Sequence, residues 1–393
     1  MKATVVFDNT TNEINLQAKE NILVSSATGC RHYVKDLDVN IQTIDSFEWT
    51  NDTTAFYFIN LIGEPGDYLS TDNEKNIFWN LPSRVLDLAQ QGKIALVLDN
   101  RLEGSEFCLG KNQIQSGYFG DSLFLRDIDY FDHMHNNLDK FKIDKIYFIN
   151  GDHNFRKTYS SWCRTRSISE RIQQHAVIFW TIILRDRFPS YPLIFDAIDD
   201  PSSKNFNSLN RTSRPHKNDH IRWLSREQLL NAGLISHHYT TDNISPMYID
   251  GDFSTRNPDA DNVSVFNHRI YQNSLLTFTT ETGFYTDSLF ITEKTFKPIA
   301  AGHPFLLLGP SGTLEKLKQL GYLVDFSFFE PYDHLTDHYD RFGRVHKNLK
   351  RWIQMPREAK INLINDNMNL IIHNQNHCRE NFFYHKKFFE GFF

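Results

Sequence analysis

Cysteine is scarce: four are spread over the 393 residues, at positions 30, 108, 163 and 378, and no two form a CxxC pair. That spacing excludes a disulfide framework and a cysteine-rich zinc site, and it suits a reducing compartment. Long apolar runs are absent as well. The longest, AVIFWTIIL at residues 176–184, falls far short of the ~20 residues that cross a bilayer. The first residues, MKATVVFDNTTNEINL, lack the apolar core of a signal peptide. Basic excess is missing too: 42 Lys and Arg stand against 48 Asp and Glu, a formal charge of −6, so no basic coat covers the chain and only a local basic patch is possible. A soluble, cytoplasmic protein is expected.

What is present is an alternation of short apolar runs with segments of helical period. Apolar residues make up 40% of the chain and charged residues 23%, enough for a large core. Strands are expected at residues 54–62, 93–100, 145–151 and 191–198, and helices at 79–92, ending at Gly92, and at 167–188, with Ser167 and Glu170 as a capping box. A Pro, Ser and Asp-rich stretch from Asp199 marks a boundary. Beyond it, strands are expected at 205–210, 274–282, 303–310 and 322–326, helices at 225–233, 292–302 and 311–321, and a helical tail from 357 to 393 that could pack back across the boundary. This pattern predicts an α/β protein of two Rossmann-like domains, residues 1–200 and 201–393, facing across a cleft as in the GT-B architecture.

The segment from Ser274 to Pro310 carries the most chemistry. A buried strand ends in Glu281, and a helix opens with Thr292, Glu293 and Lys294. Free N–H groups and a partial positive charge at such a helix end suit a phosphate. Lys294 adds a full charge, and Glu293 can accept hydrogen bonds from ribose hydroxyls. An N-cap followed by ordinary surface charges accounts for the spacing equally well.

The order of strand, Glu281, loop, Phe290-Ile-Thr292-Glu293-Lys294, helix, strand and Leu308-Gly309-Pro310 resembles the donor-binding segment of the α1,3-fucosyltransferases. Phe290 stands where that family has Tyr, and Thr280-Glu281-Thr282 where it has Phe-Glu-Asn. The resemblance covers about 40 residues and implies that Glu293 binds the nucleotide ribose, Lys294 contacts the pyrophosphate and Phe290 lines the site. The stretch TEKTFKP at 292–298 also resembles glycosyltransferase-like proteins of large bacteriophages.

A second cluster follows the first strand of the second domain and holds Asn210, Arg211, Arg214, His216 and Lys217. From 204 to 226 there are six Lys or Arg against one Asp. A bound diphosphate explains such an excess, with Arg211 as the main ligand and Arg214 or Lys217 assisting; a solvated helix start is the alternative. For the acceptor side, the strand at 93–100 leads into Asp99, Asn100, Arg101 and Glu103. Glu103 is the first choice of general base and Asp99 the second, with Glu64 and Asp152 in similar loops; a loop cap or a salt bridge with Arg101 fits Glu103 as well. Beside Asp152, the stretch 153–171 interleaves Arg156, Lys157 and Arg164 with Tyr159 and Trp162. It suits DNA with stacking bases, a sugar acceptor, or surface charge above core aromatics.

Asp127-Ile-Asp129 and Asp259-Ala-Asp261 match the short DxD pattern but neither clearly follows a strand. His373 and His377 lack a fourth zinc ligand, and His237-His238 reads as a helix end or turn. The expectation is an inverting, metal-independent glycosyltransferase without a bound cofactor. It would move a sugar from a UDP- or GDP-type donor to a hydroxyl, with hydroxymethylated pyrimidines of double-stranded DNA favoured as acceptor. A glycan acceptor and a non-catalytic nucleic-acid binding module are the alternatives. No membrane partner is expected.

Overall fold

The computed structural model describes residues 3–7, 40–50, 54–60, 81–100, 127–150, 153–176, 188–210, 213–247, 249, 266–285 and 289–380. The chain divides into two compact units, the second spanning Ile183–Phe382.

The first unit is built on a six-stranded parallel sheet. Its strands are β1 (Ala3–Phe7), β2 (Asn40–Thr43), β3 (Thr54–Asn60), β4 (Ala95–Asn100), β5 (Ile146–Asn150) and β6 (Ile172–Ala176), in the order β2-β1-β3-β4-β5-β6. Parallel strands need cover on both faces. Helices α1 (Ser83–Gln90), α2 (Asp127–Lys140) and α3 (Phe155–Arg166) cover one of them, the face of Leu96, Leu98, Ile146 and Phe148. Val85 and Ala89 of α1, Phe131, Met134 and Leu138 of α2, and Phe155, Tyr159 and Trp162 of α3 join Leu96, Leu98, Ile146 and Phe148 of the strands in one core.

The second unit repeats the plan with four strands. Helix α4 (Ile194–Asp199) precedes β7 (Phe206–Asn210), α5 (Pro215–Arg226), β8 (Gly233–His237), α6 (His268–Gln272), β9 (Thr277–Thr280), α7 (Glu293–Ala300), β10 (Phe305–Leu308) and α8 (Thr313–Gln319). The strands are parallel in the order β10-β9-β7-β8. Helices α9 (His338–Gln354), α10 (Arg357–Asp366) and α11 (Met368–Glu380) follow. Helix α11 packs on α7 within this unit, and its Gln375 donates to Ala300 O at 3.0 Å. In both sheets the second and third strands flank the first on opposite sides, so the winding reverses there. The protein is thus an α/β protein with two separate Rossmann-like parallel sheets.

Six expectations are corrected. No helix opens at Ser167: this residue ends α3 in the left-handed conformation, φ 54° and ψ 40°, and the chain then extends into β6 beside β5. Residues 191–198 form α4 instead of a strand, because Leu193, Ile194 and Ala197 share the buried face at helical spacing. A short apolar run leaves that choice open. The helix expected at 225–233 begins ten residues earlier, where Pro215 occupies the first turn. Gly233 opens β8 rather than closing a helix; a Cβ there would lie 2.6 Å from the Phe206 ring. Residues 322–326 alternate buried and exposed as a strand would but join no sheet. Asn374 of α11 takes the neighbour's part, accepting from Leu323 N at 2.7 Å and donating to Leu323 O at 2.6 Å. His237 is the last residue of β8, not a helix end.

Candidate functional site

A ligand of an open parallel sheet sits beyond the carboxyl ends of its strands, where the winding reverses. In the second unit that point lies between Asn210 on β7 and Thr280 on β9, and the two side chains meet there: Thr280 Oγ1 donates to Asn210 Oδ1 at 2.6 Å. A buried chain of hydrogen bonds holds Asn210 from behind. The Phe342 carbonyl can only accept, so His346 carries its proton on Nδ1 (2.8 Å) and accepts at Nε2 from His220 Nδ1 (2.9 Å). His220 Nε2 then accepts from Ser208 (3.2 Å), which accepts from Asn210 Nδ2 (3.0 Å). Burial keeps both imidazoles neutral, pushing His346 down to about 3 and His220 well below its ordinary value. His220 also stacks on Phe278 at 4.1 Å.

Glu281 follows Thr280 and is fully buried. Its Oε1 accepts from Thr292 N (3.0 Å) and Thr295 Oγ1 (2.5 Å), and its Oε2 from Thr292 Oγ1 (2.7 Å) and Thr282 N (3.2 Å). Thr292 caps α7 by accepting from Lys294 N at 3.3 Å. The first turn of α7 is therefore occupied by the protein's own oxygens, which corrects the expectation of free N–H groups there for a phosphate. What this turn still offers is charge. Lys294 Nζ lies 2.7 Å from Glu293 Oε1 and 3.3 Å from the hydroxyl oxygens of Thr282 and Thr292. Burial would raise the Glu293 carboxyl, but Lys294 and Lys297 outweigh it and hold the group below its ordinary value. Phe290 is buried.

Helix α5 differs at its start. Arg214 is its N-cap and makes no side-chain cap, and Pro215 supplies no N–H. His216 donates from Nε2 to Glu281 O at 2.8 Å, and burial together with Lys217 pushes it down to about 3. Lys217 is 1% exposed. Among the described residues its ammonium makes no hydrogen bond and no ion pair. Burial, then Lys294 and Arg214, drive it well below the usual lysine range, with Glu293 and Glu281 opposing. A buried ammonium beside two further cations is costly unless an anion joins it.

Arg341 escaped the sequence reading. Buried on α9, it donates to Gly309 O (3.0 Å) and Phe284 O (2.9 Å), and its guanidinium lies 4.7 Å from the Phe284 ring centre. It thereby ties the loop after β10 to the loop after β9. Only the Asp337 cap of α9, accepting from Asp340 N at 2.9 Å, marks this helix in the sequence.

In the first unit, Asp99 sits at the carboxyl end of the central strand β4, in register with Ile149 of β5. Glu64, Glu103, Asp152, Arg211, Asp259 and Asp261 lie outside the described residues. Asp127 begins α2. On α3, Arg156, Lys157 and Arg164 are exposed while Tyr159 and Trp162 are core residues, which corrects the picture of a basic surface with aromatics available for stacking. The Tyr159 hydroxyl accepts from Arg171 N (2.8 Å) and Ile172 N (3.1 Å) and lies 2.8 Å from His135 Nε2. His373 and His377 donate to the carbonyls of Gly321 and Leu320 at 3.0 and 2.7 Å, satisfying the loop after α8.

The fold and the site together define a Rossmann-like α/β protein with a cationic centre at the winding reversal of its second sheet. No protein-family model matches the chain, and neither does any curated protein or solved structure. Among the described residues no helix is long and apolar enough to cross a membrane.

Proposed function

We propose that the chain is a nucleotide-sugar-dependent glycosyltransferase of GT-B type. The observation that carries this reading is the buried Lys217 at the winding reversal, beside Lys294 and Arg214 and with no hydrogen-bond or ion-pair partner among the described residues. The donor diphosphate binds to Lys217 and Lys294 rather than to the amides of α7, which Glu281 and Thr292 already occupy. Arg211 and Arg214 assist, and Glu293 exchanges part of its pairing with Lys294 for ribose hydroxyls. Glu103, or Asp99, removes the proton of the acceptor hydroxyl as that oxygen attacks the anomeric carbon with inversion. The bond to the diphosphate breaks, and the lysines stabilise the leaving charge with no metal assigned. The favoured acceptor is a hydroxymethylated pyrimidine in DNA; a glycan hydroxyl is the alternative.

A panel of UDP- and GDP-sugars tests this by thermal shift. A ligand at 100 times its Kd stabilises the native state by ~2.7 kcal/mol. Lys217→Met, which keeps the volume and removes the charge, abolishes that response. Absence of any shift in the wild type, or an unchanged shift in the variant, removes the donor site. A second reading, a nucleic-acid binding module, draws on the exposed Arg156, Lys157 and Arg164 of α3; it predicts retardation of DNA with steep salt dependence and no response to nucleotide sugars.

A further inference from the structure

Beyond β8 the chain folds into a small hairpin. His237 and Met247 exchange backbone hydrogen bonds of 2.8 Å each, and Thr241 and Ile244 exchange a second pair at 3.2 and 2.9 Å. Its tip is fastened to α5, because Arg222 holds Asp242 through bonds of 2.7 and 3.2 Å and Asp219 through one of 2.9 Å. The hairpin is thus fixed to the helix that carries Lys217, and its first residue, His237, lies in register beside Asn210.

This hairpin concentrates unpaired polar atoms. His237 Nδ1 and Nε2, Tyr239 OH and Thr241 Oγ1 are all buried and have no hydrogen-bond partner among the described residues. His237 is 0% exposed and Thr241 2%. Buried polar groups are ordinarily satisfied, and each exception destabilises the free protein unless something pairs with it. Four within five residues do not resemble a scattered packing defect. The set is uncharged: burial, helped by His238, pushes His237 down to about 4, and burial raises the Tyr239 hydroxyl well above the ordinary phenol range, with only Arg214 opposing. Every member can both donate and accept, which suits hydroxyls and amides and gives a phosphate no counter-charge.

We propose that His237, Tyr239 and Thr241 form a neutral subsite for the uncharged, hydroxyl- or amide-bearing part of the phosphate ester whose charge Lys217 takes. The proposal rests on the reading of Lys217 as an anion ligand. Two moieties of a nucleotide sugar share this chemistry, the nucleoside and the sugar, and the test separates them.

Calorimetric titration of the full chain would compare inorganic pyrophosphate, the four common nucleoside diphosphates, UDP-glucose and GDP-mannose, in the wild type and in Tyr239→Phe and Thr241→Val. Tyr239→Phe deletes the hydroxyl and keeps the ring, and Thr241→Val replaces the hydroxyl by a methyl of similar volume. The wild type is expected to bind at least one ester tenfold or more tighter than pyrophosphate. Each variant should lose three- to tenfold of that advantage, leave pyrophosphate affinity unchanged, and melt roughly 2–4 °C higher without ligand because an unpaired buried group is gone. A loss seen already with the diphosphate assigns the nucleoside, and a loss seen only with the sugar ester assigns the sugar. Unchanged affinities in both variants, equal weakening of pyrophosphate, or a wild type that prefers no ester to pyrophosphate would overturn the subsite. Failure of the glycosyltransferase reading shows differently, as hairpin-dependent ester binding with no sugar released or transferred.

Discussion

Helix α3 follows β5 in the first unit and α5 follows β7 in the second, and both lie in stretches dense in Lys and Arg. In α3 the inward positions are Phe155, Tyr159, Trp162 and Cys163, and Arg156, Lys157 and Arg164 face solvent. In α5 the inward positions are His216, Lys217, His220, Ile221 and Leu224. Local charge excess is therefore a poor guide to a site. The phase of the charge relative to the apolar stripe decides, since a cation on the stripe pays desolvation and one off it does not. Lys217 stands four residues before Ile221 and seven before Leu224, squarely on the stripe.

The largest effect that would test this contrast is acid sensitivity. Among the described histidines of the second unit, His216 and His346 are pushed to about 3, His237 and His303 to about 4, and His220 well below 6.5, each mainly by burial. In the first unit the same shift is resolved for His135, again mainly by burial. Between pH 6.5 and about 4 the unfolded chain binds more protons than the folded one, so stability falls as pH falls through that window. His303 alone accounts for on the order of 3 kcal/mol. Hydrogen exchange on acidification from pH 7 to 4 is expected to show β7 to β10 losing protection before β3 to β5. Simultaneous loss, or a first unit that opens first, breaks the contrast.

The strands β3, β4, β5 and β10 were legible from their apolar runs, and β7 and β9, which mix Asn, Ser or Thr with Phe and Leu, also fall within the expected ranges. Helix α7 and its Thr292 cap were legible for the same local reason. What the sequence could not show is tertiary. The sequence places Glu281 only at a strand end, yet its carboxylate accepts from Thr292 at the start of α7, 11 residues away. The extended segment 322–326 reads as a strand, yet its partner is a side chain 51 residues later. The phase of Tyr159 and Trp162 on α3 was present in their spacing, three residues apart, and was masked by the basic residues on either side, Arg156 and Lys157 before them and Arg164 after.

On α3 itself, the inward side should carry the stability. Tyr159→Phe leaves the amides of Arg171 and Ile172 without their acceptor at the point where β6 begins. Two orphaned amides cost about 2–4 kcal/mol. Chemical denaturation of the first unit measures this, and a change under about 0.5 kcal/mol would mean that water replaces the hydroxyl and that the aromatic face is less closed than its burial indicates.

The smallest effect belongs to the outward side. Replacing Arg156, Lys157 and Arg164 together by Ala is expected to change stability by no more than about 0.5 kcal/mol per site, because exposed positions without buried partners lie in that range. Arg164 makes one exposed bond, to Ser160 O at 3.3 Å, within its own helix. The same triple variant separates the functional readings. If this face holds the DNA backbone, removing three phosphate contacts lowers the slope of log affinity against log salt by about 2.7, while the response to nucleotide sugars, set by Lys217, stays intact. An unchanged slope frees α3 from any nucleic-acid role and leaves its charge as solvation of a helix whose working side faces the core.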